Sequence, residues 1–225
     1  MFKNFGMLDY KYGPRSLRGL RHIEIKQILE ENIVLYERKL RILDVGCGDQ
    51  SLLKSLDNKE FILYGCDWIK QKNKNKKIEY QSIDINKNGL KCWPSKYFDV
   101  IICSDVIEHL ESPAALLREI SRCMKSNGFA LISFPNSWNI LERTRFFLTA
   151  NFRRFRSERY SSPWGHISFF TSEILESICD RAKLSINSVR AGGKFSHAAF
   201  AGFFFRVPSS LLLSYNVYVL LRPNS

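Results

Sequence analysis

Short, unbroken apolar runs alternate with stretches of helical spacing along most of the chain. Ile42–Val45, Phe61–Cys66, Ile78–Ile83, Val100–Cys103 and Phe129–Phe134 are mostly apolar, without polar alternation. Strands read this way when both faces are covered, as in a parallel sheet. Leu20, Ile23, Ile25, Ile28, Leu29 and Ile33 recur at loosely helical spacing within residues 17–35. A clearer helix is predicted after the fourth run, with Ser112 as N-cap, Pro113 at its first position and Gly128 past its end. Its buried stripe is Leu116, Leu117, Ile120, Cys123 and Met124. Thr171 caps a further helix with Ile174, Leu175 and Ile178 inward, and Leu184–Val189 and Tyr215–Leu221 add two strands.

This alternation predicts an α/β fold: a Rossmann-like doubly wound sheet of about seven strands, with right-handed crossovers and helices on both faces. Residues 1–225 read as one domain, opened by a helical segment over 1–39. Two segments break the alternation, 136–166 and 191–214. Loops that leave the carboxyl ends of parallel strands line the ligand crevice, so both are expected to be lids over a substrate site.

Composition narrows the picture. With 225 residues, 45% hydrophobic and 25% charged, the chain is an ordinary globular domain, which excludes wholesale disorder, collagen and coiled coil. The formal net charge of +12 points to anionic partners: nucleic acid, phosphorylated metabolites or a membrane surface. Most of it lies in two places. Five lysines occupy residues 70–77, which read as a solvated crossover. Arg143, Arg145, Arg153, Arg154, Arg156 and Arg159 outnumber Glu142 and Glu158 in the first insertion. Six cysteines form no C-x-x-C pair, so reduced thiols and a cytoplasmic location are expected. The N-terminus has no apolar leader-like region, and Arg206 and Pro208 interrupt the apolar stretch Phe195–Leu213 before it reaches the ~20 residues of a membrane span.

Candidate chemistry begins at Ile42-Leu43-Asp44-Val45-Gly46-Cys47-Gly48-Asp49, a strand entering a glycine turn before a helix. Gly46 and Gly48 let backbone approach a ligand where a Cβ would clash. Ser51 replaces the third glycine of a dinucleotide fingerprint, and Asp44 and Asp49 would repel a pyrophosphate. The carboxylates suit a ligand with ammonium and sulfonium groups. Asp67, about 20 residues on, can accept ribose hydroxyls, and Asp84 an adenine amino group; taken singly, each acid is equally a turn or cap residue.

At Leu43–Gly48, Phe98-Asp99-Val100-Ile101, Asp105-Val106-Ile107-Glu108-His109-Leu110, Phe134-Pro135-Asn136 and Gly165–Thr171 the chain resembles the class I S-adenosylmethionine-dependent methyltransferases, small-molecule branch, similar to quinone and sugar O-methyltransferases. The resemblance covers roughly residues 40–182. It implies S-adenosylmethionine as cofactor and an antiparallel last strand at Tyr215–Leu221. It also implies a cofactor site of Asp44, Gly46, Cys47, Gly48, Asp67, Trp68, Asp84, Ile85 and Ser104. Gln50 departs from the pattern, at a position where the family usually has a small residue.

Methylation of a hydroxyl benefits from a base, and His109 and His166 are the candidate catalytic residues; the alternative for each is a structural histidine. His22 and His197 are taken as structural or surface residues. Asp105, Glu108 and His109, spaced i, i+3, i+4, offer the alternative of a divalent metal beside the acceptor. Both insertions interleave aromatic residues with arginine or aliphatic ones, which suits an anionic or amphiphilic acceptor. A lipid- or nucleotide-linked sugar comes first, then a quinone-like lipid. Peripheral membrane contact through 195–213, at the inner face of a membrane, is expected with it. An RNA methyltransferase is the runner-up, and a non-catalytic protein of the same fold the third reading.

Overall fold

The computed structural model describes residues 17–33, 38–70, 77–152, 165–192 and 214–224. Calls on residues 153–164 and 193–213, including four lid arginines, Trp164, His197 and the apolar 195–213 stretch, lie outside the described residues, as do Lys72, Lys74 and Lys76.

The chain runs α1 (Leu17–Asn32), β1 (Leu40–Val45), α2 (Ser51–Ser55), β2 (Phe61–Asp67), β3 (Ile78–Ser82), α3 (Ile85–Asn88) and β4 (Phe98–Ser104). A 3-10 turn (Ile107–His109) leads to α4 (Pro113–Cys123), β5 (Met124–Pro135), α5 (Ile140–Thr149), α6 (Ser172–Arg181), β6 (Leu184–Gly192) and β7 (Asn216–Pro223). The seven strands order as β3-β2-β1-β4-β5-β7-β6. The first five pair in parallel, and β7 is antiparallel to both its neighbours, β5 and β6. The Rossmann-like sheet and its antiparallel last strand are as the pattern and the resemblance implied.

Each strand feeds two cores because successive side chains point to opposite faces. Leu43, Val45, Ile101 and Cys103 pack with Leu117 and Ile120 of α4 and Leu175 and Cys179 of α6. Ile42, Val100 and Ile102 pack with Ile25, Ile28 and Leu29 of α1 and Leu52 and Leu53 of α2. A fully buried side chain of this size contributes ~1.5–3 kcal/mol, so α1 and α4 hold to the sheet mainly by these stripes.

Three local expectations change. Ser112 does not cap α4 with its side chain; its backbone carbonyl starts the helix instead. Gly128 is not a helix stop. α4 ends at Cys123 and β5 begins at Met124, so Gly128 lies inside a strand, where a Cβ would come within 2.7 Å of the Asp99 carbonyl oxygen. Ile174 faces solvent, and the buried side chains of α6 are Leu175 and Cys179.

The two insertions share a base. Because β7 is antiparallel, its first residue Asn216 pairs with Pro135 at the end of β5. The amides of Asn136 and Asn139 donate to the Ser214 carbonyl at 3.0 and 2.9 Å. Residues 136–152 and the chain re-entering at Ser214 therefore meet at the carboxyl edge of the sheet, where β5 ends and β7 begins.

Candidate active site

The β1–α2 loop is stitched to the end of β2. Backbone N–H groups of Gly46 and Cys47 donate to the Cys66 carbonyl at 2.8 and 3.0 Å. The Gly48 N–H donates to Asp67 Oδ2 at 2.8 Å, and the Ile69 N–H to Asp67 Oδ1 at 3.1 Å. Two backbone donors thus aim the Asp67 carboxylate, and each oxygen keeps a lone pair for a ligand. Gly46 and Gly48 have φ of +74° and +51°, so the turn needs residues that adopt the left-handed region cheaply. Gln50 takes that region too, at φ +63°, with its N–H on the Cys47 carbonyl.

A cleft of about 390 Å³ opens here, walled by Asp44, Gly46, Cys47, Gly48, Asp67 and Ser104, and also by Arg21, His22, Asp49 and Asp105. A second, of similar volume, is walled by Trp68, Ile83, Asp84, Ile85, His109, Leu110, Glu111 and Ile167. Gly46, Asp67 and Asp105 belong to both, so the clefts meet along that wall. Each of the nine expected cofactor residues borders one cleft or the other. Trp68 is 53% exposed, presenting an indole face beside Asp67. Asp84 also caps α3, accepting from the Asn86 N–H at 3.1 Å, so its bland role is realised as well.

Cys47 lends backbone rather than thiol. Its Sγ would lie 2.9 Å from a Cβ on Gly65, and burial, with the nearby Asp44 and Asp67 carboxylates, pushes the thiol far up from its ordinary range. It stays protonated and is no nucleophile.

On the shared wall itself, Asp105 stands at φ +54°, and its carboxylate pairs with the Arg21 guanidinium. His109 Nδ1 lies 2.9 Å from the Gly165 carbonyl oxygen. A carbonyl only accepts, so this nitrogen carries a proton, the tautomer that leaves the lone pair to Nε2 whenever the ring acts as a base. The strap that supplies Gly165 is itself pinned to the turn. The Ile167 and Ser168 N–H groups donate to the Glu108 carbonyl at 2.9 and 3.0 Å, and Ser168 Oγ to the Leu110 carbonyl.

His166 packs edge-on to His109, with ring centroids 4.8 Å apart. It stands behind the wall rather than on it. Glu108, 1% exposed, faces both rings: Oε1 is 4.0 Å from His109 Nε2 and 3.9 Å from His166 Nε2. The alternative metal set therefore changes. Asp105 turns away to Arg21, and among the described residues the three donors lying within 4.8 Å of one another belong to Glu108, His109 and His166.

One residue of the first cleft, Arg21, escaped the sequence reading; it and His22 reach the cleft because α1 lies across the sheet beside it, and His22 is buried on that wall, the structural of the two readings given for it. Glu108 was read only as a metal ligand, since nothing local brings His166 to it.

The donor set fits S-adenosylmethionine. Four carboxylates (Asp44, Asp49, Asp67, Asp105) around one cleft favour sulfonium and ammonium charge, and Arg21 is the complementary group for a carboxylate. Among the described residues no helix is long and apolar enough to cross a membrane.

Comparison with known proteins agrees. A family model described as a methyltransferase domain matches residues 19–189. The chain is 33% identical over 140 residues to a ubiquinone biosynthesis O-methyltransferase of Rickettsia typhi, covering 59% of this chain and 56% of that protein. It is 23% identical over 131 residues to the protein of the same name from Yersinia enterocolitica, covering 54% and 52%. The chain thus spans about half the length of the curated relatives it matches. Among solved structures, a SAM-dependent methyltransferase from Archaeoglobus fulgidus superposes with a TM-score of 0.61 at 19% identity, covering 92% of this chain and 96% of that one. One from Mesorhizobium loti gives 0.55 at 14% identity, covering 87% and 96%. At these identities the structural likeness speaks for the fold alone.

Proposed function

The chain belongs to the methyltransferase-domain family, and from that premise we propose that it is an S-adenosylmethionine-dependent O-methyltransferase acting on a small amphiphilic or anionic acceptor. The observation that carries this is the wall of Gly46, Asp67 and Asp105, across which a carboxylate-rich cleft meets a second cleft holding His109. The name shared by the curated relatives moves a quinone-like lipid ahead of a lipid- or nucleotide-linked sugar as the acceptor.

Bound S-adenosylmethionine supplies a methyl carbon already activated for displacement. The protein's part is to bind, align and deprotonate. Asp67, aimed by Gly48 and Ile69, would take the ribose hydroxyls; Trp68, Asp84 and Ile85 would border the adenine; Arg21 and the acidic wall would take the charged amino-acid end. His109 Nε2, its tautomer set by Gly165, accepts the acceptor's hydroxyl proton. Glu108 offsets the charge that develops on the ring, and His166 packs His109 in place. A base in this position contributes about 10²–10⁴-fold.

The test is transfer of labelled methyl groups to phenolic and sugar acceptor fractions, alongside calorimetry. His109→Gln is expected to lower kcat by about 10²–10⁴-fold with cofactor affinity unchanged. Full activity in that variant rejects the base, and a wild-type chain that binds no S-adenosylmethionine rejects the whole reading. The Glu108–His109–His166 cluster favours a second reading for the proton step, in which a divalent cation there orients the acceptor oxygen. Loss of activity on chelation, restored by adding the metal back, separates it from the metal-free base.

A further inference from the structure

Arg21 carries the one guanidinium among the residues that wall the first cleft, and two elements other than its own hold it. Its Nη1 pairs with Asp105, at the turn after β4. A single contact of this kind leaves the planar fork free to swing. The second point of attachment is Asn216, the first residue of β7 and only 3% exposed. Its Oδ1 accepts from Arg21 Nε at 3.0 Å, and its Nδ2 donates to the Tyr215 carbonyl at 3.0 Å. The reversed amide would set carbonyl against carbonyl and N–H against N–H, in exchange for one bond of 3.3 Å to Asp105 Oδ1. Two bonds outweigh one, and the amide orientation is assigned on that balance.

Strand β7 reaches α1 at a second rung. Tyr218 lies two residues after Asn216 on the same face of the strand, and its hydroxyl donates to Glu24 Oε2 at 2.9 Å. Glu24 stands three residues after Arg21, on the same face of α1. The Tyr218 ring is packed so closely that a Cβ on Gly192 would lie 2.3 Å from its Cε2. Ile25, Ile28 and Leu29 hold α1 to the sheet, but apolar contact is non-directional and cannot orient a guanidinium. The two polar rungs can. The antiparallel direction of β7 matters here, because it puts the strand's first residue at the carboxyl edge, opposite Pro135.

We propose that Asn216 is a positioning residue for the cofactor: it fixes the plane of the Arg21 guanidinium and so sets where the carboxylate of S-adenosylmethionine binds. With Nε on Asn216 and Nη1 on Asp105, the Nη2 donors remain for that carboxylate. Asn216 touches no reacting atom and acts through Arg21. The inference rests on the proposed function and deepens it, since it traces selectivity for the cofactor's amino-acid end to β7.

The experiment is calorimetric binding of two ligands to the full chain. One is S-adenosylmethionine; the other is methylthioadenosine, which keeps the nucleoside and the sulfur but has no amino-acid end. Asn216→Leu, close in volume and without an acceptor, should weaken S-adenosylmethionine about tenfold and leave methylthioadenosine unchanged. The same variant should raise KM for S-adenosylmethionine about tenfold with kcat within about twofold of wild type. Arg21→Gln should also weaken S-adenosylmethionine, and adding Asn216→Leu to it should cost nothing more, because the lost bond was to the guanidinium. Asn216→Ala removes the same acceptor without adding bulk and should show the same selective loss, so misfolding of one variant does not decide the result. Equal loss for both ligands means a merely structural role and overturns the proposal, as does a double variant whose losses add in full. Binding of both ligands by an Asn216→Leu chain indistinguishable from wild type removes this inference alone. Binding of neither ligand by wild type removes the proposed function, and this inference with it.

Discussion

A Cβ added at Gly46 would lie 2.3 Å from Cγ2 of Val106, on the turn that leads to His109, and the residue's φ is +74°. Two separate penalties therefore meet at one atom, a backbone penalty of about 1–3 kcal/mol and a steric one. Gly46→Ala is expected to lower S-adenosylmethionine affinity by about tenfold or more, read by calorimetry. Adding Val106→Ala should recover part of the loss, because it clears the clash and leaves the φ strain. The glycines and Asp67 were legible in the sequence because a strand–turn–helix loop is a local object with local spacing. The tautomer of His109 was not, since it is set by a carbonyl 56 residues away. Gln50 shows the limit of residue type as a guide: a long side chain adopts the left-handed conformation here, at φ +63°.

Element boundaries follow tertiary demands as much as local ones. Asp99, the second residue of β4, binds three neighbouring segments. Its carboxylate accepts from Arg38 at 3.0 and 2.6 Å, from the Arg41 N–H at 2.9 Å, and from Lys125 at 3.0 and 2.9 Å. Burial alone would raise its pKa, but these donors together hold it below the ordinary carboxylate range. A depressed pKa in the folded state stabilises the fold above the unfolded-state value of about 4, and that contribution is lost as pH falls through the folded value. Acid titration of thermal stability should therefore show a fall below about pH 4 that Asp99→Asn flattens, the variant being less stable at neutral pH. An unchanged acid profile would mean the cluster is decorative. The same clamp explains the early start of β5. Lys125 must reach Asp99, and Gly128 must pass the Asp99 carbonyl, so the chain leaves α4 five residues before the glycine that reads as its stop.

At the scale of the whole molecule, the first cleft is built by parts far apart in sequence: α1, the ends of β1, β2 and β4, and the turn after β4. A ligand that touches all of them binds the folded chain and not the unfolded one. S-adenosylmethionine at 100 times its Kd should then stabilise the protein by about 2.7 kcal/mol, seen as a raised Tm, and Asp67→Asn should shrink that shift. The seven strands and their strand-end acids were readable because unbroken apolar runs and a glycine turn encode short-range constraints, burial of both strand faces and backbone approach to a ligand; the antiparallel direction of the last strand came only from the family resemblance. What only the tertiary structure decided is who meets whom at the carboxyl edge. Arg21 faces Asp105, Glu108 lies between two imidazoles, and α5 turns its apolar side outward. Each depends on how helices and straps lie across the sheet, and that is set by the two cores and by backbone bonds between residues no local pattern connects.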